Sequence, residues 1–170
     1  MENRRAACEA ASTQRDGTKV LQAALPGEWM PDDPEVGPVD VDTLERIGRR
    51  LEASARFETV EYQPEYAPNA VVAAYDLRYF PAAVDRAALR IRWFETDDFS
   101  IHHSEQYESG TQWECRWDRH PNGHNTRMHF HPPTTAETPG EDAEYPDDWR
   151  DVISELLGDL DERIESFWDT

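Results

Sequence analysis

The feature that most constrains the fold is a run of three segments in which apolar and polar residues alternate. One set of alternate positions is apolar or histidine: Leu89, Ile91 and Trp93 in the first segment, Phe99, Ile101 and His103 in the second, and Trp113, Cys115 and Trp117 in the third. Alternation of this kind places one class of residue on each face of a strand. The segments therefore predict neighbouring strands of a sheet with one apolar and one polar face.

Gly110 indicates how the second and third strands are joined. A loop of residues 108–110 keeps both apolar sets on one face, and glycine readily adopts the positive φ that the third loop position requires. A two-residue loop would turn Trp113 and Trp117 to the polar face. By the same reasoning, residues 96–98 are predicted to form the loop between the first and second strands.

This register predicts three rows of side chains across the polar face. The central row is Arg92, His102 and Arg116, flanked on one side by Phe94, Ser100 and Asp118 and on the other by Arg90, Ser104 and Glu114. His103 falls on the apolar face beside Cys115, where a histidine usually has a structural role.

The remaining segments indicate a fold of the α+β class. An amphipathic helix is predicted from a cap at Asp40 or Asp42 to about Ala55. Strands are predicted at 57–62 and 70–76, and a C-terminal helix at Pro146. We therefore expect a single α+β domain over residues 39–170: an antiparallel meander of about five strands with both helices on one face. Residues 1–38 lack periodicity and are predicted to be disordered or weakly docked, and residues 132–144 to be irregular.

Charge is strongly unbalanced, with 36 acidic and 17 basic residues and a net charge of −19. Acidic residues scattered in this way are typical of a halophile-type surface. Residues 90–131 carry five arginines against seven acidic residues, so an anionic substrate is best tolerated there. The longest purely apolar run, residues 70–75, is too short to cross a bilayer, and no signal peptide is visible. The expected location is therefore the cytoplasm, with no membrane contact.

All six histidines lie within residues 102–131. Histidine is the commonest metal ligand, and its ordinary pKa lies near neutral pH. In an extended segment, His129 and His131 project to the same side. One interpretation is a site for zinc or another transition metal, formed by His129 and His131 with His120, His124 or His102 and with Asp118 as an oxygen ligand.

A second interpretation is metal-independent cleavage of RNA. This reaction needs a base for the 2′-hydroxyl, an acid for the leaving oxygen and cations at the phosphate. The candidates for proton transfer are His102, His129 and His131, with Asp118 to orient an imidazole and Arg92 and Arg116 to bind phosphate. A third interpretation is a non-catalytic interaction domain in which the histidines only stabilise a loop.

Residues 116–121, Arg-Trp-Asp-Arg-His-Pro, followed by His-Phe-His at 129–131, resemble the end of TumE-like toxins of toxin–antitoxin systems. In that family a final strand ends in Arg-(Trp/Tyr)-Asp-Asn-x-x-His, and a histidine loop and a C-terminal helix follow. The resemblance covers about residues 89–131 and departs from the pattern at Arg119. It implies a strand meander and a toxin that acts on RNA and pairs with an antitoxin protein.

Overall fold

The computed structural model describes residues 36–169. In this part of the chain, α1 (Val41–Glu52) precedes a seven-stranded sheet and α2 (Trp149–Glu165) follows it. The strands are β1 (Phe57–Gln63), β2 (Ala70–Tyr75), β3 (Val84–Trp93), β4 (Phe99–Tyr107), β5 (Gln112–Arg119), β6 (Met128–His131) and β7 (Glu141–Asp142). Each strand pairs antiparallel with the next, so the predicted α+β meander is confirmed. The sheet has two strands more than expected, because β6 and β7 form where a loop and an irregular segment were predicted.

Aspartate caps begin both helices. The Asp40 carboxylate accepts a hydrogen bond from the backbone N–H of Thr43 at 2.9 Å, as predicted for the first helix. Asp148 accepts one from the backbone N–H of Arg150 at 2.7 Å. The second helix therefore begins at Trp149 rather than at Pro146, because the Asp148 carboxylate satisfies its first free N–H groups.

Both helices pack on the same face of the sheet, where they form the core. Its fully buried side chains include Leu44, Ile47 and Leu51 of α1, Ile153 and Leu156 of α2, and Leu89, Ile91, Trp93, Phe99 and Ile101 of the sheet. Burial of each such side chain contributes about 1.5–3 kcal/mol to the stability of the fold. His103 lies on this face opposite Cys115, as expected. The polar face is therefore the face without helices.

The pairing of β4 with β5 follows the predicted register. Gly110 has a φ of 82°, and the backbone N–H of Tyr107 donates to the carbonyl of Thr111 at 2.9 Å. The loop is therefore residues 108–110, and His102 lies opposite Arg116.

The predicted register between β3 and β4 is wrong by two residues. The backbone N–H of Phe94 donates to the carbonyl of Asp98, so the loop is residues 95–97 rather than 96–98. Asp97 adopts the left-handed conformation, with a φ of 60°, which aspartate tolerates better than most residues. Arg90 therefore pairs with His102, and Arg92 pairs with Ser100.

Of the segment predicted to be disordered or weakly docked, residues 1–35 lie outside the described part of the chain. Residues 36–38 contact the β3–β4 loop, where the Thr96 hydroxyl donates to the Val36 carbonyl at 2.7 Å and the Glu95 N–H to the Pro38 carbonyl at 2.9 Å. Among residues 36–169, neither helix has the length and apolar character needed to cross a membrane.

Candidate functional site

The polar side chains of β4, β5 and β6 converge on Asp118. Asp118 lies opposite Ser100 on one side and opposite His129 on the other. In the neighbouring row, Arg116 lies between His102 and His131. His129 and His131 project to the same face, as the sequence predicts. We call the group of Ser100, Arg116, Asp118, His120, His129 and His131 the Asp118 centre.

Asp118 is fully buried but surrounded by polar groups. The Ser100 hydroxyl donates to its Oδ1 at 2.5 Å, and the Nε of Arg116 donates to its Oδ2 at 2.6 Å. The Nε2 atoms of His131, His129 and His120 lie 3.2, 3.6 and 3.8 Å from the same Oδ2. Burial alone would raise the pKa of this carboxyl, but its polar contacts with His120 and His131, the charge of Arg116 and the hydrogen bond from Ser100 together hold its pKa well below its usual range. Asp118 is therefore a buried carboxylate ion.

Each of the three imidazoles is oriented by a backbone carbonyl. The Nδ1 atoms of His120, His129 and His131 lie 2.9, 3.1 and 2.8 Å from the carbonyl oxygens of Pro121, Thr126 and Glu137, respectively. A carbonyl oxygen only accepts, so each Nδ1 carries the hydrogen in the tautomer that makes these bonds. The Nδ2 of Asn122 also lies 3.3 Å from the Nδ1 of His129. The Nε2 atoms are thereby directed at the carboxylate.

Arg116 gives His131 a hydrogen-bond partner of its own. Its Nη2 lies 2.9 Å from the Nε2 of His131, and a guanidinium can only donate, so the lone pair of His131 accepts this bond. The Nε2 atoms of His120 and His129 also face Oδ2 of Asp118. Two nitrogen lone pairs directed at a carboxylate oxygen repel it, so this arrangement needs a positive charge between them: a proton on one imidazole or a bound cation.

Solvent reaches the centre from one side. The side chains of Arg116 and His120 are 30% and 19% exposed, whereas those of His129 and His131 are each 2% exposed. Burial lowers the pKa of His120, but its interaction with the Asp118 carboxylate and its bond to the Pro121 carbonyl outweigh this effect, so the net shift of the pKa is upward. Burial also lowers the pKa of His129, and there the charge of Asp118 does not compensate. The two imidazoles are thus shifted in opposite directions.

Two asparagines and a glycine hold the loop of residues 120–127, between β5 and β6, in place. The Oδ1 of Asn122 accepts from the backbone N–H groups of His124 and Asn125, at 2.9 and 2.6 Å. The amide of Asn125 exchanges two hydrogen bonds with the backbone of Gly140. A Cβ at Gly140 would lie 2.6 Å from the Phe130 carbonyl oxygen, so only glycine fits this close approach. These bonds hold the segment before β7 beside His131.

The other predicted site residues lie around the centre rather than in it. His102 is buried, and its Nε2 lies 3.6 Å from the Oε2 of Glu114 instead of facing Asp118. Arg92 lies in the row of Asp118, on the far side of Ser100. His124 is exposed on the loop surface. The structure therefore brings Arg116, Asp118, His129 and His131 together as expected, but not His102 or His124.

His120 is the member that the catalytic prediction left out, although the metal interpretation included it. The signal was present, because β5 extends to Arg119 and alternation continues from Arg116 through Asp118 to His120 on the polar face. Among the described residues, Asp118, His120 and His129 also form a group whose ligand atoms all lie within 4.8 Å of one another. Metal binding and proton transfer therefore depend on the same side chains.

A comparison with protein families agrees with this fold and site. The family model described as toxin TumE matches residues 45–164, which include all seven strands and the whole Asp118 centre. No curated protein and no solved structure matches the chain. Since the family match covers most of the chain and includes the motif from Arg116 to His131, this chain belongs to the TumE toxin family.

Proposed function

We propose that this member of the TumE toxin family is a metal-independent ribonuclease whose reaction takes place at the Asp118 centre. His120 and His129 transfer protons, Asp118 orients them, and Arg116 binds the scissile phosphate. Arg92, across Ser100 in the same row, binds a neighbouring phosphate of the RNA.

One observation carries this proposal. Two imidazoles, each held at Nδ1 by a backbone carbonyl, direct Nε2 to one oxygen of a buried carboxylate. The guanidinium of Arg116 donates to the same oxygen. Positioned histidines beside an arginine are the groups that acid–base cleavage of a phosphodiester requires. The ring centroids of His120 and His129 are 5.0 Å apart, and we propose that both act at one phosphate that enters beside the exposed edge of His120.

The reaction uses these groups as follows. One imidazole takes the proton of the RNA 2′-hydroxyl, and the 2′-oxygen attacks the adjacent phosphorus. The other imidazole, protonated at the start, gives its proton to the departing 5′-oxygen. The products are a 2′,3′-cyclic phosphate and a 5′-hydroxyl, and Arg116 stabilises the negative charge on the phosphorane.

The proposal differs from the sequence prediction at two histidines. His131 accepts a hydrogen bond from Arg116, so we assign it the positioning of that guanidinium rather than proton transfer. His102 faces Glu114, and its catalytic role stays a prediction. His120 takes its place because it lies at the solvent-exposed rim.

The proposed partners follow from this chemistry. A ribonuclease toxin acts where RNA is present, so we propose the cytoplasm as its location. A cell that produces it needs an antitoxin that covers the rim at Arg116 and His120, because these side chains are the exposed part of the centre.

The test is cleavage of a single-stranded RNA by the purified chain in the presence of EDTA. We expect 2′,3′-cyclic phosphate ends, detected by mass spectrometry. The variants His120→Gln and His129→Gln are expected to slow cleavage by about 10²–10⁴-fold. His124→Gln, an exposed histidine of the same loop, is the matched control and should leave the rate unchanged. Full activity of the His120→Gln/His129→Gln double variant, or loss of wild-type activity in EDTA, would contradict the proposal.

A further inference from the structure

The Asp118 centre also has the chemistry of a metal site. Two imidazole nitrogens and one carboxylate oxygen, from His120, His129 and Asp118, lie within 4.8 Å of one another. The carbonyl bonds to Nδ1 leave each Nε2 as the coordinating atom. Histidine ligands of metals commonly donate their other ring N–H to a carbonyl or carboxylate in this way, which fixes the tautomer and the direction of the lone pair.

We propose that Nε2 of His120, Nε2 of His129 and Oδ2 of Asp118 bind one divalent transition-metal ion of the Zn²⁺ type, and that this ion switches off RNA cleavage. The second half of the inference rests on the proposed function, because the ion occupies the nitrogen atoms that transfer protons. The first half, metal binding, stands without it.

The distances suit a small ion. At a zinc–ligand distance of about 2.0–2.1 Å, neighbouring ligand atoms of a tetrahedral site lie roughly 3.3–3.4 Å apart. The Oδ2 of Asp118 is 3.6 Å from the Nε2 of His129 and 3.8 Å from that of His120. The two nitrogen–oxygen distances therefore close by a few tenths of an ångström on coordination, and the two Nε2 atoms, which lie within 4.8 Å of each other, close by up to about 1.5 Å. The solvent-exposed rim at His120 is the way in.

The two nitrogen donors and one oxygen donor favour some metal ions over others. Two imidazoles with one carboxylate favour zinc, copper, nickel or cobalt over magnesium and calcium, which prefer oxygen ligands alone. His131 is not part of the set because its Nε2 accepts from Arg116. Arg116 also donates to Oδ2 of Asp118, so the metal competes with a guanidinium for that oxygen. We therefore expect reversible binding, weaker than that of a closed structural zinc site.

Metal binding is tested on the full chain without a histidine tag. Titration with Co²⁺ should give the visible absorption of a cobalt–imidazole site with one ion per chain, and Zn²⁺ should displace it. His120→Ala and His129→Ala should each weaken Zn²⁺ binding by about a hundredfold or more. His124→Ala should leave it unchanged. Circular dichroism spectra should show that all three variants stay folded.

The outcomes separate the two proposals. If Zn²⁺ binds with these residue dependences and stops cleavage, and EDTA restores it, the whole inference is supported. If Zn²⁺ binds in this way but the chain does not cleave RNA, the metal site stands and the ribonuclease proposal fails. Absence of one-to-one binding, or binding that His124→Ala removes and His120→Ala preserves, overturns the metal site whatever the enzymatic result.

Discussion

Two buried carboxylates, one on each face of the sheet, have similar partners but differ in how their histidines are held. Asp118 lies on the polar face with Arg116 and three imidazoles. Glu105 lies on the face that packs against the helices, bound by His103, Tyr107 and Arg163, and we call these four residues the Glu105 network. Each carboxylate is fully buried, and each receives hydrogen bonds from an arginine.

Both oxygens of the Glu105 carboxylate accept hydrogen bonds. Arg163 of α2 donates to both oxygens of Glu105, at 3.2 and 3.0 Å, and the Tyr107 hydroxyl donates to one of them at 2.7 Å. The guanidinium of Arg163 lies between the rings of Trp113 and Phe167, 4.3 and 4.2 Å from their centroids. The network therefore joins the end of α2 to the sheet.

The tautomers of the histidines show the difference between the two sites. The Nε2 of His103 lies 3.2 Å from Glu105 and donates to it, whereas the buried Nδ1 of His103 has no hydrogen-bond partner among the described residues. In the Asp118 centre, backbone carbonyls accept from Nδ1 and leave the Nε2 of His120 and His129 directed at the carboxylate. In the Glu105 network the imidazole thus donates to the acid, whereas in the Asp118 centre two Nε2 atoms face the acid while backbone carbonyls hold the opposite ring nitrogens.

The largest expected effect is a loss of RNA cleavage on neutralising Asp118 that does not occur on neutralising Glu105. Asp118→Asn should lower the rate of RNA cleavage by about three to four orders of magnitude, because a neutral amide does not stabilise an imidazolium. Glu105→Gln should leave the cleavage rate of the folded protein unchanged. Single-turnover kinetics, below the unfolding temperature of each variant, measure both. Equal losses in the two variants would remove the distinction between the sites.

Loss of the carboxylate at Glu105 should instead appear in stability. Glu105→Ala leaves Arg163 and His103 without their acceptor, and breaking a buried ion pair in this way lowers the free energy of unfolding by about 3–5 kcal/mol. Glu108→Ala, at an exposed loop position of the same hairpin, should change it by less than about 0.5 kcal/mol. Urea denaturation followed by tryptophan fluorescence gives both values, and similar effects at the two positions would contradict a structural role for the network.

A smaller loss of stability is expected from Arg163→Lys. An ammonium replaces the two-point bond to Glu105 with a single contact and stacks less well on Trp113, so the free energy of unfolding should fall by about 1–2 kcal/mol. Arg150→Lys provides the control, because Arg150 is exposed on the same helix. No difference between the two variants would show that the guanidinium geometry at Glu105 is unimportant.

The smallest effect is a pH dependence of stability. Burial alone would raise the pKa of Glu105, but hydrogen bonds from His103, Arg163 and Tyr107 outweigh it, so the net shift in the fold is downward. The ionised form is thus favoured in the fold. Its contribution is complete above the unfolded pKa of about 4.3 and is lost as the pH falls through the lower folded value.

Comparison of wild type with Glu105→Gln isolates that contribution. The stability of the variant should fall less steeply than that of wild type below about pH 4, because glutamine does not titrate. Chemical denaturation at several pH values measures the two curves. Parallel curves would show that Glu105 does not titrate with unfolding in this range.

Much of the fold could be predicted because its signals are local. Alternation in the central strands and the glycine at 110 were sufficient for the β4–β5 register, and both helices were predicted on the correct face. The β3–β4 register could not be predicted in the same way. Its left-handed loop position is taken by Asp97, and aspartate adopts that conformation without the clear signal that glycine provides.

The site was predicted in part for the same reason. Alternation placed His129 and His131 together and His103 on the other face. His120 was left out of the catalytic set because its position depends on how far β5 continues before the loop. The Glu105 network was not predicted at all, since Arg163 is 58 residues away in sequence and only the packing of α2 brings it to the carboxylate.

The sequence by itself determined the class of fold, the two faces of the sheet and the concentration of histidine chemistry near β5 and β6, because side-chain alternation and turn residues act over a few positions. Only the tertiary structure decided which histidines face which carboxylate. That outcome depends on strand register, on backbone carbonyls that hold Nδ1 and on contacts between distant segments. The β3–β4 pairing, for example, differs by two residues from the predicted register, and this shift places Arg90 rather than Arg92 beside His102.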